Sequence, residues 1–430
     1  GSAGDRKDIT LTINNGNLLS GLEGTEADQT NLRGQNITLT ANAGAAEGSG
    51  NLGTAKKRIT AEADGNLSVT ASKSIYLHAP KDTVMSELNA EYADLLFDGK
   101  ADITSSTSVN GKIDAKGLNL TAEGSVGNAQ NATEINVHGE KLNISAKNDI
   151  YVNEVDAVSG KTDIGTVASE NGNVTLTTAQ DTVIDSLSSA NGNISLKTAQ
   201  DTEIGSMKAE NGAGMVETAG NLTIAELTVK TADMTAAGTL EIAEIIADSL
   251  KAVAGELLKV ATSKDLHAEL LQADRVEAEA AGEMVIDEIL TDYAKLTAGR
   301  KADVTTSGDL SAGTIEAANI RLKAAGDLGT REEALMLKTG DRVKAEAGGL
   351  INIRETSTEP GKTTITAKSD KDDVTVETNR DLVLEDTQGQ NVNVTTGGKL
   401  EAKNIEAAEN GRLYMEAEKD IVINNDAQSV

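Results

Sequence analysis

The sequence predicts an all-β fold, a right-handed parallel β-helix (β-solenoid) with coils of about 18–21 residues and a few loop excursions. Three observations predict it. A 20-residue unit recurs in the middle of the chain: Asn171 opens NGNVTLTTAQDTVIDSLSSA, Asn191 opens NGNISLKTAQDTEIGSMKAE, and Asn211 opens the weaker NGAGMVETAGNLTIAELTVK. Short alternating apolar pairs recur elsewhere with a second pair eight residues on, as in Leu67/Val69 with Ile75/Leu77, Leu142/Ile144 with Ile150/Val152, and Val374/Val376 with Leu382/Leu384. Finally, aromatic residues make up 1% of the 430 residues, with one Phe and no Trp. A ring-filled globular core is therefore excluded, and the interior has to be built from Val, Ile, Leu, Ala and Thr.

Alternation at period two marks strands with one face buried. The segments between them, such as Ala71-Ser72-Lys73, Thr378-Asn379-Arg380 and Glu416-Ala417-Glu418, hold turn residues and are too short for a crossover helix. The same slots recur in phase, so equivalent strands of successive coils are expected to stack in parallel: Ile184, Ile204 and Ile224 as one ladder, Val374 on Val392, and Leu382 on Leu400. The hand of parallel crossovers makes the helix right-handed. Glycines at turn starts, Gly220, Gly238, Gly255, Gly282, Gly308 and Gly326, are expected to supply positive φ.

In chain order, residues 1–4 (Gly-Ser-Ala-Gly, without an initiator Met) read as an expression remnant on an excised fragment. Residues 5–80 read as amino-terminal coils with long loops at 14–30 and 41–57, and 81–139 as irregular coils or an insertion. Within the latter, Val84, Met85, Leu88, Tyr92, Leu95 and Leu96 fall at helical spacing, with Asp82 as N-cap, while Ala93/Leu95 with Ala101/Ile103 obey the strand rule. Helix and strand both stay open there. Residues 140–430 read as a regular rod, including the Ala-, Glu-, Leu- and Lys-rich stretch 225–302, where period outranks helix propensity. The whole is expected to make about 20 coils at about 4.8 Å each.

The absence of Cys excludes disulfides, thiolate metal sites and Cys nucleophiles. A net charge of −29 opposes binding to nucleic acid, and no run of apolar residues is long enough to insert this segment in a membrane. No catalytic, cofactor-binding or metal site is assigned. Asp181 and Asp201, one coil apart beside Gln180 and Gln200, could form an acid/base pair or a Ca²⁺ site, but read better as solvated turn residues. Stacked Asn171, Asn191 and Asn211 read as an amide ladder. The Asp370, Asp372, Asp373 cluster and the Asn424, Asn425, Asp426 tail could bind Ca²⁺ weakly, without the spacing of a known calcium loop. His78, His138 and His267 are far apart, and the first two read as turn residues. Tyr92 and Phe97, in the irregular region, are the candidate contacts for a receptor.

Units such as GNLSVTASKSIYLHA at 65–79, GNLTIAEL at 220–227, GDLSAGTIEAANIRLKAAGDL at 308–328 and GKLEAKNIEAAENGRLYMEAEKDIVI at 398–423 resemble the repeats of filamentous haemagglutinin-like exoproteins. These are two-partner secretion adhesins and related contact-dependent inhibition toxins of Gram-negative bacteria. The resemblance implies a β-helical rod exported unfolded through an outer-membrane transporter and held at the cell surface. The expected function is a structural shaft that carries a binding or effector region, not an enzyme. The alternatives are a module that recognises a host or neighbouring-cell receptor or glycan through 81–139, and a β-helical polysaccharide lyase or hydrolase.

Overall fold

The structure, a computed structural model, describes residues 6–22, 30–45, 47–99, 101–103, 113–137, 139–154, 160–424 and 427–429. Among them there is no helix; parallel strands stack into β-solenoid coils, about 17 turns in all. That is fewer than expected because the first coils are long. Asn36 and Asn66, in equivalent places, are 30 residues apart, whereas later equivalents such as Asp201 and Asn221 are 20 apart. The chain divides into two compact units, Gly1–Lys230 and Thr231–Val430.

In the first unit the 20-residue repeats show how one coil is made. Thr182–Ser189 lies in register between Thr162–Ser169 and Thr202–Thr218, and Ile194–Thr198 pairs with Val174–Thr178 before it. Ile164, Ile184 and Ile204 stack as one buried column, and Val167, Leu187 and Met207 as the next. The step of three between these columns, where strand alternation would give two, marks a bend: the strand turns a corner of the coil and continues on the next face.

The same step resolves the segment that could have been a helix. Thr83–Phe97 is one strand whose buried positions are Thr83, Met85, Leu88, Ala90, Ala93, Leu95 and Phe97. Two steps of three inside a period of two imitate helical spacing. Its first part pairs with Asn66–Ala71 and its second with Ser74–Ala79, so it wraps two faces of a coil. The loop expected at 41–57 contributes Leu52, which bridges Leu18 and Ile75 and is fully buried.

In the second unit the Ala- and Glu-rich stretch is also strand. Leu240, Leu258, Val276 and Ala294 stack inward. The outward neighbours Glu241, Lys259, Glu277 and Lys295 alternate in sign, with Lys259 donating to Glu241 at 2.9 Å. Opposite charges directly across a ladder stabilise it and like charges do the reverse. Further on, Val374 stacks on Val392 and Leu382 on Leu400.

One expectation needs correcting. None of the six turn-start glycines has positive φ. At four of them the requirement is proximity: a Cβ at Gly220, Gly282 or Gly326 would lie 2.3, 1.9 or 1.8 Å from Oδ1 of Asp201, Asp265 or Asp309 in the coil before, and one at Gly255 would lie 2.0 Å from the Ala237 carbonyl oxygen. Arg380 lies in the bend between two strands, as expected. It points inward at 9% exposure, donating to the Thr339 carbonyl at 2.9 Å and to Thr363 Oγ1 at 3.1 Å, with buried Glu355 3.7 Å away.

Candidate functional site

The Asp and Asn residues that precede strands carry the most regular side-chain chemistry. At several corners the side-chain oxygen accepts the backbone N–H of the equivalent residue one coil later. In the first unit Asp149 accepts from Asn173 at 2.8 Å, Asn173 from Asn193 at 2.9 Å, and Asn193 from Ala213 at 2.8 Å. At another corner Asp181 accepts from Asp201 at 3.2 Å and Asp201 from Asn221 at 2.7 Å. The second unit repeats this with Asp265 to Glu283, Asp309 to Asp327, Asp327 to Leu350, and Asp373 to Asn391 and on to Arg412. Each bond satisfies an amide at the turn where the ladder has not yet begun. Where Gly220, Gly282, Gly326 or Gly349 precedes the donor, the missing Cβ leaves room for the accepting side chain. Asp181 and Asp201 thus stack as expected, but each commits an oxygen to coil-to-coil bonding.

The amide ladder at Asn171, Asn191 and Asn211 is partial. Asn191 Nδ2 donates to Asn171 Oδ1 at 3.2 Å, while Asn211 Nδ2 donates to the Ala190 carbonyl. The continuous column is two residues on, through Asn173 and Asn193. Its signal was present in the sequence as Gly followed by Asn or Asp and then an apolar residue.

Phe97 cannot meet a receptor from the folded state, because its side chain is fully buried. Tyr92 does reach the outer face. Its ring centroid lies 5.8 Å from that of Tyr76, and Asn119 Nδ2 donates to its hydroxyl at 2.6 Å. Burial, with the Asp94 carboxylate nearby, pushes the Tyr92 phenol above its ordinary pKa. Asn143 Nδ2 donates on to Asn119 Oδ1, and Arg58 pairs with Asp94 at 2.9 Å, so the patch is cross-linked over several coils.

The acidic cluster at 370–373 is occupied by an arginine. Arg331 donates to both oxygens of Asp372 at 2.7 Å, and Asp373 accepts from Asn391. No group of three His, Cys, Asp or Glu among the described residues is placed to hold a metal. Asn424 is exposed at the end of its coil; Asn425 and Asp426 lie outside the described residues, as does His138.

His78 is not a turn residue but part of Ser74–Ala79, where Nδ1 lies 3.3 Å from Thr60 Oγ1 and Nε2 lies 2.9 Å from Asp98 Oδ2. The connectivity is that of a hydroxyl–imidazole–carboxylate relay. Thr60, however, is only 8% exposed, which leaves a substrate carbonyl no approach. His267 lies 3.1 Å from Asp287 on an exposed face.

Comparison with known proteins finds no matching family model, no similar curated protein and no similar solved structure.

Proposed function

We propose that this chain is a structural shaft segment of a large secreted bacterial surface adhesin, holding a binding or effector region away from the cell. One observation carries the reading: turn carboxylates and amides that could have formed a site are spent, coil after coil, on the amides of the next coil. A stack bonded this way extends by repetition and transmits load along its axis. The likeness of the repeat units to filamentous haemagglutinin-like exoproteins supports the extracellular setting. A Cys-free chain suits unfolded export through an outer-membrane transporter, and the net charge of −29 suits solubility at the cell face.

The test is a swap within the parent protein at the surface of a Gram-negative host. Replacing this segment by an unrelated β-solenoid with the same number of coils is expected to preserve surface display and adhesion. Loss of adhesion despite normal display would assign recognition to the segment itself.

The rival reading, recognition of a receptor or glycan through 81–139, is favoured by the Tyr76–Tyr92 pair on the outer face. A ring pair beside the Arg58–Asp94 ion pair suits a sugar face and its hydroxyls. Tyr92→Ala would then abolish signals on a glycan array; the shaft reading expects wild type and variant to be equally silent. A lyase reading would require unsaturated-product absorbance from acidic polysaccharides, and the shaft reading expects none.

A further inference from the structure

One outer face of the second unit sorts its charges into bands along the stack. Six successive coils each contribute one strand to it, and their outward positions fall into three columns. In these columns the last four coils bring Lys301, Arg321, Lys323, Arg342, Lys344 and Lys368 outward against two carboxylates, Asp303 and Glu346. In a chain of net charge −29 this is a basic island. Arg321 and Lys344 are direct register partners at about 4.8 Å, and like charges directly opposite disfavour a ladder. Neutralisation from within is partial. Lys301 pairs with Asp303 at 2.9 Å and Lys344 with Glu346 at 2.5 Å, whereas Lys323, Arg342 and Lys368 have no ion-pair partner among the described residues. The two coils before the island are acidic on the same face, with Glu269, Glu283 and Asp287 outward. Arg300 is committed to Asp265 at 3.1 Å and approaches Glu283 only to 3.9 Å.

We propose that this face pairs with the same face of a second copy of the chain, the two stacks running antiparallel. A two-fold axis in the plane between the faces, parallel to the strands and passing between the coil of Asp303 and that of Arg321, turns each acidic coil onto a basic one. Counted in register, it sets Asp303 opposite the partner's Arg321, Glu283 opposite the partner's Arg342 and Glu269 opposite the partner's Lys368, and each pairing occurs twice. The one unfavourable match, Asp287 opposite the partner's Glu346, involves a carboxylate that Lys344 of its own chain neutralises. Six coils at about 4.8 Å by five residues at about 3.3 Å present roughly 480 Å² of face per copy, about 1,000 Å² for the pair, which reaches the lower limit of a specific interface. A linear polyanion answers only the cations, and laid along the stack it runs onto the carboxylates of Glu283 and Asp287. A second copy answers both signs. The pairing does not depend on the shaft reading.

The experiment is sedimentation equilibrium of the full chain at about 150 mM salt, where the mutual repulsion of two acidic chains is screened beyond about 8 Å. A monomer–dimer equilibrium is expected, weakened at least tenfold at about 1 M salt, where screening acts within about 3 Å. Arg321→Glu with Arg342→Glu reverses the basic side, and Glu283→Arg with Asp303→Arg reverses the acidic side. Each variant alone should sediment as a monomer. Mixed in equal amounts the two should associate as a heterodimer, because every reversed residue then meets its opposite. Glu226→Lys with Glu409→Lys, a reversal at exposed positions elsewhere, should leave dimerisation unchanged. A monomeric wild type, dimers retained by either reversed variant, or no association on mixing would each overturn the proposal. Saturable binding of dextran sulfate by a wild type that stays monomeric would overturn it in favour of a polyanion.

Discussion

Substituting Gly349 tests why glycine precedes so many strands in this chain. Asp327 lies one coil earlier, and its Oδ1 accepts the Leu350 N–H at 2.7 Å. Leu350 is 4% exposed, so that amide has little access to water. A Cβ on Gly349 would stand 1.9 Å from the same oxygen, whereas the backbone there is not in the positive-φ region. Gly349→Ala is thus accommodated only by rotating the Asp327 carboxylate off its donor. A hydrogen bond to a charged acceptor contributes about 1.5–3 kcal/mol. Because the carboxylate is partly exposed, about 1–2 kcal/mol is the expected loss. Asp327→Ala should cost a similar amount. The double variant should cost no more than Asp327→Ala alone, and about 0.4–1 kcal/mol less if alanine's narrower unfolded ensemble is felt. Urea unfolding followed by circular dichroism gives the global cycle, and hydrogen exchange at the Leu350 amide gives the local one. Additive losses, or a neutral Gly349→Ala in the wild-type background, would refute the mechanism.

Other consequences are equally concrete. Ile204→Ala empties a fully buried rung between Ile184 and the next coil and should cost about 2–5 kcal/mol in chemical denaturation; a loss under about 1 kcal/mol would contradict the ladder. Deleting residues 191–210, one whole 20-residue repeat, should leave a folded chain with the wild-type β spectrum. Deleting only 191–200 should not, because every later side chain then changes slot. The Arg6 guanidinium, hydrogen-bonded at 2.7 Å, holds the Glu62 carboxyl below its ordinary pKa, with Lys81 adding to the effect. A depressed carboxylate stabilises the fold above its unfolded pKa and ceases to as pH falls through the folded value. Melting temperature should therefore drop below about pH 4, and Glu62→Gln should flatten that drop.

The strands and their register were legible because alternation and a constant coil length are printed directly in the apolar positions: Val374 and Val392, or Ile184 and Ile204, need only be counted. Corners were harder. A step of three within Thr83–Phe97 looks like a helix until one allows a strand to bend mid-run. The glycines were correctly placed but misexplained, since at Gly220, Gly282 and Gly326 the side chain they make room for belongs to the previous coil, a contact no local rule reveals. Glu355 sits two residues after Ile353, in an inward slot, although it carries an ionisable group. Only the structure shows Thr378 Oγ1 and the Ser357 N–H satisfying it inside, with Arg380 nearby. Phe97 stood out by its place in the irregular region, and burial removes it from any binding role.

The in-register parallel stack can be tested directly by cross-linking, because the chain has no Cys of its own. Ser186 and Ser206 are register partners on successive coils, at a spacing of about 4.8 Å that falls within the range a disulfide spans. Ser186→Cys with Ser206→Cys should oxidise rapidly to an intramolecular disulfide in the folded protein. Ser186→Cys with Lys208→Cys, displaced by one side-chain repeat on the same strand, should not. Equal cross-linking of both pairs, or preference for the displaced pair, would contradict the stack on which the fold and the proposed shaft both rest.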